Sequence, residues 1–209
     1  MKRYLALILL SLVACRSTYY AVWEKLGREK RDILRHRVVD ARDEQKAASQ
    51  QFKTALERMK EMYGFDGGKL EAAYNRFKSE YEDCDARAEK VRGRVKDVEA
   101  VAGDLFKEWE RELREISDPT MRNDSRRKLE DSRAKYNQLL TSMKRAESSM
   151  APILTKFHDN VLYLKHNLNA QAIGALKGES VKIEADIARL IGDMNKSIAE
   201  AESFIKTLE

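Results

Sequence analysis

Apolar residues recur along most of this chain at alternating steps of four and three, and that repeat constrains the fold more than any other feature. From Leu34, the positions Leu34, Val38, Ala41, Gln45, Ala48, Phe52, Ala55, Met59 and Met62 keep the alternation without a fault. A second run does the same through Leu70, Tyr74, Phe77, Tyr81, Cys84, Ala88, Val91, Val95, Val98, Ala102, Leu105 and Trp109. A mean step of 3.5 residues is the signature of helices packing side by side. A third run, Leu129, Ser132, Tyr136, Leu139, Met143, Ala146, Met150, Ile153, Phe157, Val161, Leu164 and Leu168, has one irregular step, from Phe157 to Val161, four where three is due. The last run is Ile183, Ile187, Leu190, Met194, Ile198, Ala201, Ile205 and Leu208. No stretch alternates with the period of two that a half-buried strand needs.

The breaks between runs are short. Gly64-Phe65-Asp66-Gly67-Gly68 permits a tight helix-to-helix reversal. As a phosphate-cradling loop it lacks a following Lys-Ser/Thr and a preceding strand. Ser117-Asp118-Pro119 supplies a capping carboxylate and a proline suited to a first helical turn. Gly174 and Gly178 bracket a final turn. Pro152 lies inside the third run, but the repeat passes through it in phase, so a kink near Ser148 is expected rather than a stop. Helices are therefore expected over about Tyr19–Met62, Lys69–Ile116, Pro119–Ile173 and Glu179–Leu208. Short turns make successive helices antiparallel neighbours. The expected fold is all-α: one elongated antiparallel bundle over residues 19–209, with three long helices and a shorter C-terminal one. A charged fraction of 36% with only 2 prolines fits long helices of this kind.

The first fourteen residues read differently. Lys2 and Arg3 precede an apolar run from Tyr4 to Leu12, too short to span a bilayer, and Leu12-Val13-Ala14 leads directly to Cys15. This is the pattern of a bacterial lipoprotein signal. It predicts removal of residues 1–14, lipid on the Cys15 sulfur, a linker over 15–18, and attachment to a membrane of the cell envelope. The plainer reading is a signal peptide with an incidental cysteine. Arg16 is not acidic, which favours the outer membrane, facing the periplasm. Loss of Lys2 and Arg3 lowers the formal charge from +5 to +3. So balanced a charge, outside the cytoplasm, argues against a nucleic-acid partner.

Few residues suggest chemistry. With Cys15 lipidated, only Cys84 remains, so an intramolecular disulfide and CxxC metal sites are excluded by count. Cys84 sits on a core seam and is expected to be a small buried residue. His158, Asp159 and His166 lie close in sequence, with His36 in another helix, but none has the spacing that two zinc ligands on one helix need. No metal, cofactor or catalysis is expected. His166, Asn167, Asn169 and Gln171 crowd one short segment. The plain reading is helix termination near Gly174. The functional reading is a buried polar layer fixing the register of the bundle, or a partner contact. Asn167 and Asn169 cannot share one helix face, so one amide is expected inward and the other exposed. Arg28, Lys30, Arg31, Arg35 and Arg37 form a basic cluster close to the lipid. It is either a solvated helix face or an electrostatic contact with anionic headgroups.

Two stretches carry a family resemblance: Val22-Trp23-Glu24-Lys25-Leu26-Gly27-Arg28-Glu29-Lys30-Arg31-Asp32-Ile33-Leu34, and Leu164-Lys165-His166-Asn167-Leu168-Asn169-Ala170-Gln171-Ala172-Ile173. Both resemble an uncharacterised bacterial lipoprotein family, the domain-of-unknown-function family 2959, over the whole chain after the signal. The resemblance implies a lipoprotein and a helical fold, and brings no catalytic residues. The expected function is a lipid-anchored structural or adaptor component of the envelope with an unidentified envelope protein partner. The alternatives are a membrane-surface protein that self-assembles on or remodels the bilayer, and a ligand-binding bundle.

Overall fold

In the computed structural model, residues 30–64 and 69–208 are described. They form four helices: α1 Lys30–Tyr63, α2 Leu70–Glu115, α3 Pro119–His166 and α4 Ala170–Thr207. Each helix packs on two neighbours, α1 on α2 and α4, and α3 on α2 and α4. The diagonal pairs make no backbone contact, so the section is a square four-helix bundle around one apolar core. At 46 residues, α2 is a rod about 70 Å long.

Ion pairs across the faces give the register. Lys30–Glu108 at 2.8 Å and Arg87–Glu44 at 2.9 Å run α1 antiparallel to α2. Lys46–Glu202 and Lys60–Glu184 do the same for α1 and α4. Lys144–Glu99 ties α3 to α2, and Ser149–Asp193 ties α3 to α4. Most of these groups are substantially exposed, so each contributes at most about 1 kcal/mol. They report alignment, while stability comes from the buried seams, about 1.5–3 kcal/mol for each fully buried large apolar side chain.

The α1 seam is buried at every expected position from Leu34 to Met62. On α2 the seam is buried to Ala102 except at Tyr81, which only flanks the core, and then rotates: Phe106 and Leu113 are buried, while Leu105 and Trp109 pack against the core only partly. A straight helix drifts about 20° per heptad against a 3.5 repeat, which turns the next residue inward towards the end of a long rod. On α4, Ser197 and Phe204 are buried where Ile198 and Ile205 were expected, and the two isoleucines flank the core.

The boundaries show why local chemistry decides. Asp118 accepts a hydrogen bond from the Met121 N–H at 2.8 Å, capping α3, with Pro119 in its first turn. Arg122 donates to the Ile116 and Ser117 carbonyls, closing the end of α2. The helix runs on through the exposed Pro152, as expected, without a stop. The last turn is not where the glycines suggested. α3 ends at His166 and α4 starts at Ala170, so Gly174 and Gly178 lie inside α4. Each glycine costs the helix about 1 kcal/mol. The buried Ala172 and Ile173 face offsets that cost.

Candidate functional site

The rod has two unlike ends. The start of α1, the α2–α3 turn and the end of α4 meet at one end, which adjoins the N-terminal chain. The α1–α2 and α3–α4 turns form the other, distal end.

At the distal end the core is aromatic. Phe157 stacks on Phe52, with ring centroids 6.4 Å apart, and meets Phe77 edge-on at 5.5 Å. Beside them lies a buried amide. The Tyr63 hydroxyl donates to Asn160 Oδ1 at 2.8 Å, and Asn160 Nδ2 donates to the Lys156 carbonyl at 2.7 Å. Tyr74 donates to the Val161 carbonyl at 3.4 Å.

The segment expected to hold the polar layer lies beyond this core. His166, Asn167, Asn169 and Gln171 are all exposed, so neither asparagine points inward. Asn167 ends α3, its side chain donating to the Tyr163 carbonyl at 3.0 Å. Asn169 caps α4, accepting from the Ala172 N–H at 2.9 Å. Two helix termini in three residues leave orphan backbone groups, and these short amides satisfy them locally. Next to the caps, Leu162, Tyr163 and Val181 are large apolar residues facing solvent. The Lys156–Asp186 and Ser149–Asp193 contacts, extended along both helices, place Val181 level with Leu162 along the axis. Three of the four exposed large apolar residues described thus lie toward the distal end, with Met121 at the opposite end.

At the proximal end the basic cluster is divided. Arg28 and the lipidation candidate Cys15 lie outside the described residues. Lys30 pairs with Glu108, and Arg37 lies near Asp40 and Asp97, so these two help bind α1 to α2. Arg35 lies near Asp32 at 3.9 Å. Arg31 is exposed and borders an open cleft of about 260 Å³, with Lys128, Asp131 and Lys135 on its rim and Leu105 and Trp109 on its floor. The Trp109 indole donates to Ser125 at 2.9 Å, and Arg133 lies 5.1 Å above the Phe106 ring.

Among the described residues no group of three or more His, Cys, Asp or Glu is arranged to hold a metal ion. His158 packs against Tyr81. Cys84 is fully buried, and burial, reinforced by Glu80, Asp83 and Asp85, pushes its thiol well up from the usual range. A thiol in that state is a packing element, not a nucleophile. No helix among the described residues is long and apolar enough to cross a membrane.

The midpoint of the rod holds two polar residues in its core, Gln45 at an expected seam position and Ser197 in place of Ile198. Gln45 and Ser197 are fully buried, and Gln45 Oε1, Gln45 Nε2 and Ser197 Oγ have no hydrogen-bond partner among the described residues. Gln45 stood on the α1 seam in plain view. Asn160 and Ser197 were passed over for apolar neighbours, although each occupies the slot where a step of three was due.

The family model described as "Protein of unknown function (DUF2959)" matches residues 19–208, nearly the whole chain. The chain belongs to that family. No curated protein and no solved structure matches it.

Proposed function

We propose that this member of the DUF2959 family is a lipid-anchored helical component of the bacterial cell envelope, acting as a structural or adaptor element without catalysis of its own. Lipid on Cys15 holds it to the membrane, outer rather than inner, and the bundle stands in the periplasm. The observation that carries the adaptor reading is that Leu162, Tyr163 and Val181, three of the four exposed large apolar residues described, lie in the distal part of the rod. Exposed large apolar residues concentrated toward one end of a molecule point to that end as an interaction surface. Leu162 and Tyr163 stand near the far end of α1, about 50 Å from Lys30, where the chain from the anchor enters.

Two experiments test this reading. Cys15→Ser is expected to release the mature protein from membranes or trap the precursor. Unchanged attachment and electrophoretic mass would sink the anchor. A photo-crosslinking residue at Leu162 is expected to give one defined protein adduct in cells, with none from Lys53 on the flank of α1. The same adducts from both positions, or none from Leu162, would sink the distal surface.

A second reading, a protein acting on the bilayer surface itself, is favoured by the exposed Arg31 and Lys135 beside the proximal cleft. It predicts that protein lacking lipid binds anionic vesicles and lets go as salt rises.

A further inference from the structure

The central stretch of the bundle mixes alanines with larger apolar side chains and holds the orphaned polar atoms. Ion pairs locate its members. Arg87–Glu44 sets Gln45 level with Ala88 of α2. Ser142–Glu200 and Ser149–Asp193 bracket Ala146 of α3 level with Ser197 of α4. Lys46–Glu202 sets Gln45 near the Ala201 turn of α4. Gln45 and Ser197 therefore lie on adjacent helices about one helical turn apart along the axis, a span of roughly 5–7 Å. Around them the buried positions include Ala41, Ala48, Ala88, Ala146 and Ala201, with Val91, Met143 and Met194 one turn away.

A primary amide presents two donors and two acceptor sites, and a hydroxyl presents one donor and two. Neighbouring backbone N–H groups are committed to their own helices, and no helical carbonyl accepts from Gln45 or Ser197 as Lys156 does from Asn160. What the site lacks is a small molecule that both donates and accepts, and small flanking side chains leave room for one. We propose that Gln45 and Ser197 form an internal water-binding site, in which at least one sequestered water accepts from Gln45 Nε2 or donates to its Oε1, and also bonds Ser197 Oγ. Buried waters with about three polar partners are the usual answer to such groups in folded proteins. The water makes this the one hydrated layer between α1 and α4 that the described residues support. It places the register-setting polar contact at mid-rod and not at the Asn167–Asn169 end.

The test uses the full chain in detergent, labelled with nitrogen-15 only at glutamine side chains. The expected result is a cross-peak between the Gln45 amide protons and water with the sign of a long-lived, protein-bound molecule, lost in Gln45→Leu. A crystal structure is expected to show ordered water at roughly 2.7–3.2 Å from both side chains. A dry layer, or a Gln45 amide bonded only to protein atoms, would overturn the proposal. Neither readout depends on the lipid anchor or on any partner, so a failure here is separate from a failure of the adaptor reading.

Discussion

Asn160 and Gln45 are both side-chain amides in seam positions of one bundle, 6% and 0% exposed, yet their surroundings treat them oppositely. Asn160 is short, so its Nδ2 reaches back to the Lys156 carbonyl on its own helix. Its oxygen is met by Tyr63, whose ring is long enough to bring a hydroxyl across from α1. Gln45 has alanines for neighbours on its own seam and no phenol facing it. Large aromatic residues at the distal end supply reach, and small ones at mid-rod supply only room. A polar slot in a heptad core is thus satisfied in one of two ways, by a protein group where the layer is bulky or by solvent where it is not.

The largest effect that tests this contrast comes from Val91→Asp. Val91 is fully buried on α2, between the Arg87–Glu44 and Arg92–Glu147 contacts that frame the mid-rod layer. One water can answer an amide, but it cannot solvate a carboxylate. The substitution is expected to cost more than about 4 kcal/mol in denaturant unfolding. An unchanged midpoint would mean that the layer is open to bulk solvent, and the contrast with Asn160 would collapse.

A buried phenol at the proximal end gives the next effect. Tyr136 packs between Phe106 and Phe204, and burial, helped by the Glu99 carboxylate, raises its pKa from 10.0 to about 12. Below pH 10 both folded and unfolded chains keep the proton, and nothing is lost. Between pH 10 and 12 only the unfolded chain ionises, so stability falls as pH rises, by about 2–3 kcal/mol at the upper limit. Thermal unfolding against pH is expected to show this slope, reduced in Tyr136→Phe. Identical profiles for the two proteins would place Tyr136 among groups that water already reaches.

Smaller again is Tyr63→Phe, which removes the donor to Asn160 and leaves a buried acceptor unpaired. A loss of about 1–2 kcal/mol is expected. A neutral result would show that solvent replaces the phenol at the distal end too.

The architecture was legible because strict periodicity survives in the sequence even where residue character obscures it. The irregular step from Phe157 to Val161 dissolves once Asn160 is counted, and Ser197 and Phe204 restore the alternation on α4 in the same way. Apolar neighbours drew attention from those slots because hydrophobicity and phase disagreed, and phase won. Near the end of α2 the reverse happened. The expected Leu105 and Trp109 kept the repeat, and accumulated rotation turned Phe106 and Leu113 inward instead. The α3–α4 boundary was misplaced because glycine was weighted above asparagine, whose caps need no glycine. The proximal ion pairs were not legible, because which charges meet across α1 and α2 depends on a register that only the packed bundle sets.

The smallest expected effect is the most discriminating. Gln45 and Tyr63 lie on the same helix, about 27 Å apart along its axis. If one layer is satisfied by solvent and the other by a phenol, they are separate solutions and their energies add. Gln45→Leu alone removes the orphaned amide along with its water and is expected to leave stability unchanged or raise it by about 1 kcal/mol. Combined with Tyr63→Phe, it is expected to give the sum of the two single effects, with a coupling below about 0.5 kcal/mol. Denaturant unfolding of the four proteins in the cycle measures that coupling directly. A value above about 1 kcal/mol would mean that α1 shifts as a unit when either layer changes. Gln45 and Asn160 would then be two ends of one register device rather than two independent answers to a buried amide.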